Sequence, residues 1–588
     1  MSSTTSTGFA NLGAVKIDQA TGRATVGGTM FGIDANKMAN DLADVKLIPI
    51  QAINTKVSKN ANKIAAFDEL KILLQDLKDA ASALRGPTVL QGGDDVFRKK
   101  SANLVTTTGS TPASSLLSVT PLGDAQNGSF KIKVNRVAKN DLINSTGTFN
   151  SLTTTPLTAN GNLVINGKTL NLTTVTTLSQ LRDSINTTQN IGVTASIIKI
   201  SETSYKLSLT ADSTGKAIDL AGSDAGVLSD LSIAASGVTD TDLSAEIQYN
   251  NTTLVRATNT INDVVTGVRL NLVGADTSSE VTVSLSTDTA SIKNVLLKFK
   301  DSFNAINTFV KQQRATNTDG TIADTAILYG ETSVRDLSTR LKQMVTSVVS
   351  GVTGINSLRA AGLGFSADGS LIFVSTTGTT AGQPTTDDSD FTNIIKNNSA
   401  ELASFYSFKS TISNPNIIVL NRPNDLASLA GKSITLNVAA TDSNGTPTAA
   451  SLSVNGQDVT ATINQGRIVA SDSSILKGFS FGYAGGVINI GDPAFTATIS
   501  NTQGIADRIA GVTDSYLAIA TGILDKAIAT VQDNNANLNK KIDKINTTTE
   551  AYRARLLKQF QSAQDAYTKF TTFKSSLDAF SRSQNGST

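Results

Sequence analysis

Two stretches of the chain place oxygen-bearing side chains at the spacing of a calcium loop. Asn317 and Asp319 precede Gly320, and Asp442 and Asn444 precede Gly445, so each stretch offers two ligands two residues apart ahead of a glycine. A calcium loop also needs a first oxygen ligand and a bidentate carboxylate at its end. Those positions hold Ala315 and Ala326 in one stretch and Ala440 and Ser451 in the other, so both read as ordinary turns. Asp368-Gly369, between Phe365 and Leu371, reads as a hairpin turn rather than a catalytic carboxylate. No phosphate-binding glycine motif and no G-x-S-x-G nucleophile signature stands out.

The missing residue types constrain chemistry further. The chain has no Cys, no His and no Trp, which excludes thiolate nucleophiles, disulfides, imidazole general bases and His or Cys metal sites. No catalytic, cofactor or metal residue is assigned, and a non-enzymatic role is expected. The formal charge of +2 leaves little long-range field to draw in nucleic acid. Met1 to Asn11 is rich in Ser and Thr and lacks a basic start followed by an apolar run, so a cleaved secretory signal is not expected. No run approaches the roughly 18 apolar residues of a membrane span.

With 588 residues, the chain is too long for one hydrophobic core. Its ends read as long helices and its middle as short strands. Met38, Leu42, Val45, Ile50, Ile53, Val57, Ile64, Phe67, Leu70, Leu74, Leu77 and Leu84 recur mostly three or four apart, which makes one helical stripe, with Pro49 placed to kink or divide it. Val531, Leu538, Ile542, Ile545, Tyr552, Leu556, Phe570 and Leu577 keep close to coiled-coil spacing, interrupted by Asn535 and Thr549. Neither stripe can be buried by its own helix. The two ends therefore pack together as a hairpin, or against neighbouring subunits, and periodicity alone leaves both open. Between them, alternation at Phe130, Ile132 and Val134 and around Asn166-Gly167 marks strands and a hairpin. Ile292 to Val310 and Val334 to Val345 form a middle helical block, and 412–502 reads as an inserted β domain.

Several of these segments together resemble the flagellar cap, or hook-associated protein 2, family. Gly32, Asp34, Met38, Leu42, Pro49 and Ile50 stand at that family's opening spacing. Gly128, Phe130, Val134, Val137 and Ala138 are similar to its next strand, and residues 161–220 to a β module shared among hook-associated proteins. The most specific match is Arg256, Asn259, Ile261, Asp263, Gly267, Leu270, Asp288, Phe299 and Asn304. Two features depart from the pattern: Arg555 and Leu556 replace a usual amide and Phe, and 412–502 interrupts a normally continuous segment.

The resemblance implies a multidomain α+β fold, with terminal coiled-coil helices, a helical-bundle leg and inserted antiparallel β domains. The expected division is an export segment at 1–30, a stalk at 31–60 and 531–588, and a leg at 61–115, 289–411 and 503–530. One β head covers 116–150 and 236–288, a second covers 151–235, and an extra β domain covers 412–502. The stalk seam would comprise Met38, Leu42, Ile50, Ile53, Val57, Val531, Leu538, Ile542, Ile545, Tyr552, Leu556, Phe570 and Leu577. The implied role is a homo-oligomeric cap at the flagellar tip, outside the cell, that helps exported flagellin fold and insert. Implied partners are further copies of the chain, flagellin and an export chaperone, with no cofactor, nucleic acid or membrane insertion. A hook–filament junction protein and a tip adhesin remain alternative readings.

Overall fold

The computed structural model describes residues 15–17, 24–26, 29–30, 33–86, 95–154, 157–174, 177–422, 429 and 432–585. Six helices organise the α part: α1 (Ala35–Asp44), α2 (Ile48–Arg85), α3 (Thr289–Gln312), α4 (Thr332–Thr346), α5 (Ile505–Leu517) and α6 (Ile523–Asn585). Pro49 falls in the first turn of α2, where its missing amide costs no helix hydrogen bond, and the 3-10 turn Val45–Leu47 separates α2 from α1. The proline thus divides the N-terminal helical run. At its other end α2 stops at Gly86, whose φ of 75° an L side chain rarely adopts. Asp288 starts α3 by accepting a hydrogen bond from the Ser291 amide at 2.9 Å.

The leg core forms where the α2 stripe meets the other helices. Phe67, Leu70, Leu74, Leu77 and Leu84 are buried with Leu296 and Phe299 of α3, Leu337 and Leu341 of α4, and Ile505 and Ile509 of α5. Burying one such Leu or Phe side chain stabilises the fold by about 1.5–3 kcal/mol. The core therefore draws on segments from the start, middle and end of the chain. Within 61–115, the sequence pattern is corrected at Lys100–Thr108. This segment is an edge strand of the head sheet, paired with Glu280–Thr287, and its burial alternates residue by residue as a half-covered strand requires.

That head sheet has five strands in the order Thr252–Arg256, Ala245–Tyr249, Gly128–Arg136, Glu280–Thr287, Lys100–Thr108. A smaller sheet of Thr260–Ile261, Val268–Leu272 and Leu117–Pro121 shares its core through Ile132, Val134, Ile247 and Leu270. The second β module packs the helix Leu178–Thr187 against Val193–Ser201 and Ser204–Ala211, with Leu181, Ile185, Leu207 and Leu209 buried. Its hairpin turns at Asn166 and Gly167, with φ of 50° and 75°, the two positive values that a two-residue turn between twisted strands needs.

The additional β domain is built from two antiparallel sheets. One carries Phe408–Ile412, Phe495–Gln503, Ser433–Thr441, Pro447–Val454 and Gln457–Val459; the other carries Ile417–Asn421, Ser480–Tyr483, Arg467–Ala470 and Ala461–Asn464. Ile434, Leu436, Ile468, Phe479, Phe481 and Ile499 fill one core between them. Phe408 pairs with Gln503, so strand pairing extends this unit beyond the 412–502 of the sequence pattern at both ends. Ser410, polar at the half-buried position between Phe408 and Ile412, breaks the alternation that would have marked the opening strand.

Candidate functional site

The stalk is an antiparallel pairing of the two ends of the chain. Asp44 meets Arg553 at 3.1 Å, Asn60 donates to Asn535 at 2.8 Å, and Lys71 meets Asp525 at 2.8 Å. The first number in each pair rises as the second falls, which fixes the direction. Asn535, a polar interruption in the apolar seam, is thus matched by an amide from the facing helix, and such a pair specifies register at some cost in stability. Lys71 and its salt link hold the Asp525 carboxyl below the usual range, with the Ala520 amide adding to the effect. This ion pair is partly exposed, like Lys63 with Glu331 and Lys78 with Asp514, so water screens each of them and they mainly set alignment.

The predicted seam residues do not share one environment. Val531 and Leu556 are buried, while Ile50, Ile53, Val57, Leu538, Ile542, Ile545 and Tyr552 are half-buried. Met38 and Leu42 turn outward, at 38% and 43% exposure, because the face of α1 against α6 is made by Ala39 and Ala43, both fully buried. Small side chains let the helix backbones approach, whereas Met38 and Leu42 would hold them apart. Phe570 and Leu577, at 63% and 56% exposure, lie on the part of α6 that extends past the start of α1. A seven-residue spacing is the same whether a partner helix is present or not, which is why pattern alone grouped them with Leu556.

Two stalk contacts escape pattern reading, and a third residue, Thr549, is legible in the sequence only as a polar interruption of the seam. Lys46 sits 4.8 Å from the centre of the Tyr552 ring, a cation–π contact made from the turn between α1 and α2. Arg553, next to Tyr552, bridges Asp44 and Glu550. Thr549 is buried in the seam and its hydroxyl finds no partner among the described residues, which costs about 1–3 kcal/mol. The i, i+4 spacing of Ala39 and Ala43 is the sequence signal for the contact of α1 with α6.

The calcium-like stretches use their carboxylates locally. Asp319 accepts from both the amide and the hydroxyl of Thr321, and Asp442 accepts from the amides of Asn444 and Thr446. These hydrogen bonds lower both carboxyl pKa values, as expected of turn-capping aspartates. Asp368 likewise closes the Phe365–Leu371 hairpin through Ser366, Ser370 and Lys311. Among the described residues, no group of three metal-ligating side chains comes together and no helix is long and apolar enough to cross a membrane.

The family model described as flagellar hook-associated protein 2 C-terminus matches residues 243–572, more than half the chain, and the N-terminus model matches residues 31–141. The A-type flagellar hook-associated protein 2 of Pseudomonas aeruginosa is 24% identical over 378 residues, covering 59% of this chain and 75% of that protein. The flagellar hook-associated protein 2 of Escherichia coli K12 is 24% identical over 344 residues, covering 55% and 70%. The crystal structure of the D1-D2-D3 domains of the Escherichia coli flagellar cap protein FliD aligns with a TM-score of 0.44 at 23% identity, covering 58% of this chain and 89% of that one. On the strength of the two family matches, the chain belongs to the flagellar hook-associated protein 2 family, the flagellar filament cap proteins.

Proposed function

We propose that the chain works as an oligomeric cap at the filament tip, where copies of it form a ring beneath which exported flagellin folds and inserts. Its role is structural rather than catalytic, as in the rest of the family. The observation that carries the reading is the stalk. Both chain ends return to one antiparallel helix pair whose seam is only partly buried, with Val531 and Leu556 enclosed and Phe570 and Leu577 open to partners. Helices whose apolar faces are half satisfied can exchange contacts with the terminal helices of an incoming subunit at low cost. The driving force is then the difference between contacts made before and after insertion, with no nucleotide site required.

In this reading the head sheets and the second β module form the outer plate, the α2–α5 bundle forms the leg, and the extra β domain decorates it. An export chaperone would hold the stalk before secretion by the type III route, and the mature protein would act outside the cell. Immunogold electron microscopy tests the placement. Label at the distal tip, with unpolymerised flagellin in the medium of cells lacking the protein, is the expected result. Label confined to the base of the filament would instead assign a junction role.

A further inference from the structure

We propose that one side of the stalk is a seat for a third helix supplied by another protein, an amphipathic helix whose flanks carry Asp and Glu. The inference rests on the stalk being the surface on which assembly contacts form. α2 has five lysines, and they fall into two groups. Within the leg each meets a carboxylate from a neighbouring element: Lys63 meets Glu331 at 2.7 Å, Lys71 meets Asp525 at 2.8 Å and Lys78 meets Asp514 at 2.6 Å. Lys56 and Lys59, nearer the start of the same helix and in the stalk, are exposed and form no ion pair among the described residues.

The facing helix adds to them. Asn60 lies level with Asn535, so the antiparallel pairing puts Lys56 roughly level with Asn539. Lys540, Lys541 and Lys544 follow directly on α6, all exposed and without an ion pair among the described residues. At about 100° per residue, Lys541 and Lys544 lie on one flank of the α6 seam of Leu538, Ile542 and Ile545, and Lys56 and Lys59 on one flank of the α2 seam of Ile53 and Val57. Because the helices run antiparallel, these two flanks face the same way. Lys540 stands beside them on the outer face. Five lysines thus gather within about 12 Å of stalk length, in a chain whose formal charge is only +2. Asp533 and Asp543, the acidic residues of this stretch of α6, pair with none of them.

A cluster of like charge repels itself and works against a compact stalk until an anion neutralises it. The surface between the two flanks says what kind of anion fits. Ile53, Ile542 and Ile545 stay only half-buried with two helices in place, and the groove they line runs along the helix pair. A third helix lays its apolar stripe into such a groove and brings its flanking residues to the rims. Carboxylates on those flanks meet Lys56 and Lys59 on one rim and Lys541 and Lys544 on the other. They repeat in the stalk what Glu331, Asp525 and Asp514 do for the lysines of the leg. The same side of a second copy would bring lysines to lysines and does not fit.

Two synthetic helical peptides test this on the purified full chain by fluorescence anisotropy. Both carry one Leu and Ile stripe, flanked by Glu in one peptide and by Lys in the other. The Glu peptide should bind, and lose about tenfold in affinity as NaCl rises from about 50 mM to about 300 mM, because salt screens exposed charges over that range. The Lys peptide should not bind. In the triple variant Lys540→Glu, Lys541→Glu, Lys544→Glu the preference should reverse, with the Glu peptide about tenfold weaker and the Lys peptide now bound, a gain that a misfolded stalk cannot show. The double variant Lys56→Gln, Lys59→Gln should weaken the Glu peptide from the other rim, whereas Lys569→Gln, Lys574→Gln on the outer part of α6 should leave it unchanged. Equal binding of both peptides by the parent chain, binding of neither, or unchanged Glu-peptide affinity in the triple and Lys56/Lys59 variants overturns the proposal. If the Glu peptide does not bind, polyphosphate held by these lysines assigns them to a polyanion, and self-association lost in the triple variant assigns them to a second copy. Tip placement is read on filaments in cells, so failure here leaves that reading separately testable.

Discussion

Arg422, which follows the strand Ile417–Asn421 of the extra β domain, places its Nη1 3.0 Å from the Oδ1 of Asp507, on the first turn of α5, and both side chains are almost fully buried. The same oxygen lies 3.0 Å from Nε of Arg85, the last residue of α2, and Gln503 donates to the other oxygen at 3.0 Å. The Phe408 ring lies 4.0 Å from the Arg422 guanidinium, and burial pulls the Arg422 pKa down to about 10 although Asp507 opposes the shift. One carboxylate thus ties the β domain to two leg helices. Removing one partner of a buried pair costs more than the pair contributes, because the remaining charge stays desolvated. Asp507→Ala should therefore destabilise the leg by about 3–5 kcal/mol in urea unfolding. Arg422→Met, which keeps an apolar stem on Phe408 and leaves Asp507 with Arg85, should cost clearly less. Equal losses for the two variants would show that the pair does not join the domains.

The root of the extra domain is already closed. The Gly504 amide donates to the Ser407 carbonyl at 3.1 Å, and a side chain at Gly504 would strike the Tyr406 backbone carbonyl at 2.4 Å. Excising residues 408–503 joins two residues that are neighbours in space, with Asp507 retaining Arg85. The shortened chain should fold with a leg of near-native stability and support filament growth. A soluble, folded deletion variant that caps no filaments would make this domain part of the capping machinery.

How much of this was legible depends on the range of the interaction that decides each feature. The Asn166-Gly167 turn and the α2 stripe follow from local conformation and periodicity, and both appear where the residues place them. The α1 contact does not, because patterning selects large apolar residues such as Met38 and Leu42, whereas close helix approach selects Ala39 and Ala43. The Arg422–Asp507 pair has no sequence signal at all. It exists only once the intervening β domain has closed on itself and returned the chain to Gly504.

A pH effect is expected in the head. Asp276 accepts from the hydroxyls of Ser278, Ser279 and Thr111 at 2.6 Å each, and these bonds hold its carboxyl far below the usual range. Its folded pKa is depressed, so its contribution is present above the unfolded value of about 3.9 and is lost as pH falls through that value toward the folded one. Asp276→Asn should lower the thermal midpoint at pH 7 and flatten its fall between about pH 4 and pH 2. A variant whose midpoint falls with acid as steeply as the parent's would exclude Asp276 as a source of that dependence.

The stalk itself offers the sharpest contrast, because two residues of one predicted seam now have different environments. Leu556 is buried against the facing helix, whereas Phe570 is 63% exposed on the projecting end of α6. Leu556→Asp puts a charge into the packed seam and should cost several kcal/mol of local stability. Phe570→Asp should change stability by no more than about 0.5 kcal/mol, as surface substitutions do. The head sheets and the extra β domain have separate cores and should stay folded in both variants. In cells, Leu556→Asp should be secreted yet fail to hold the tip, so flagellin accumulates in the medium. Phe570→Asp should leave the stalk intact, and any leakage it causes would then report a lost contact with a partner rather than a lost fold. Normal filaments without leakage from a secreted Leu556→Asp protein would show that this seam carries no load at the tip.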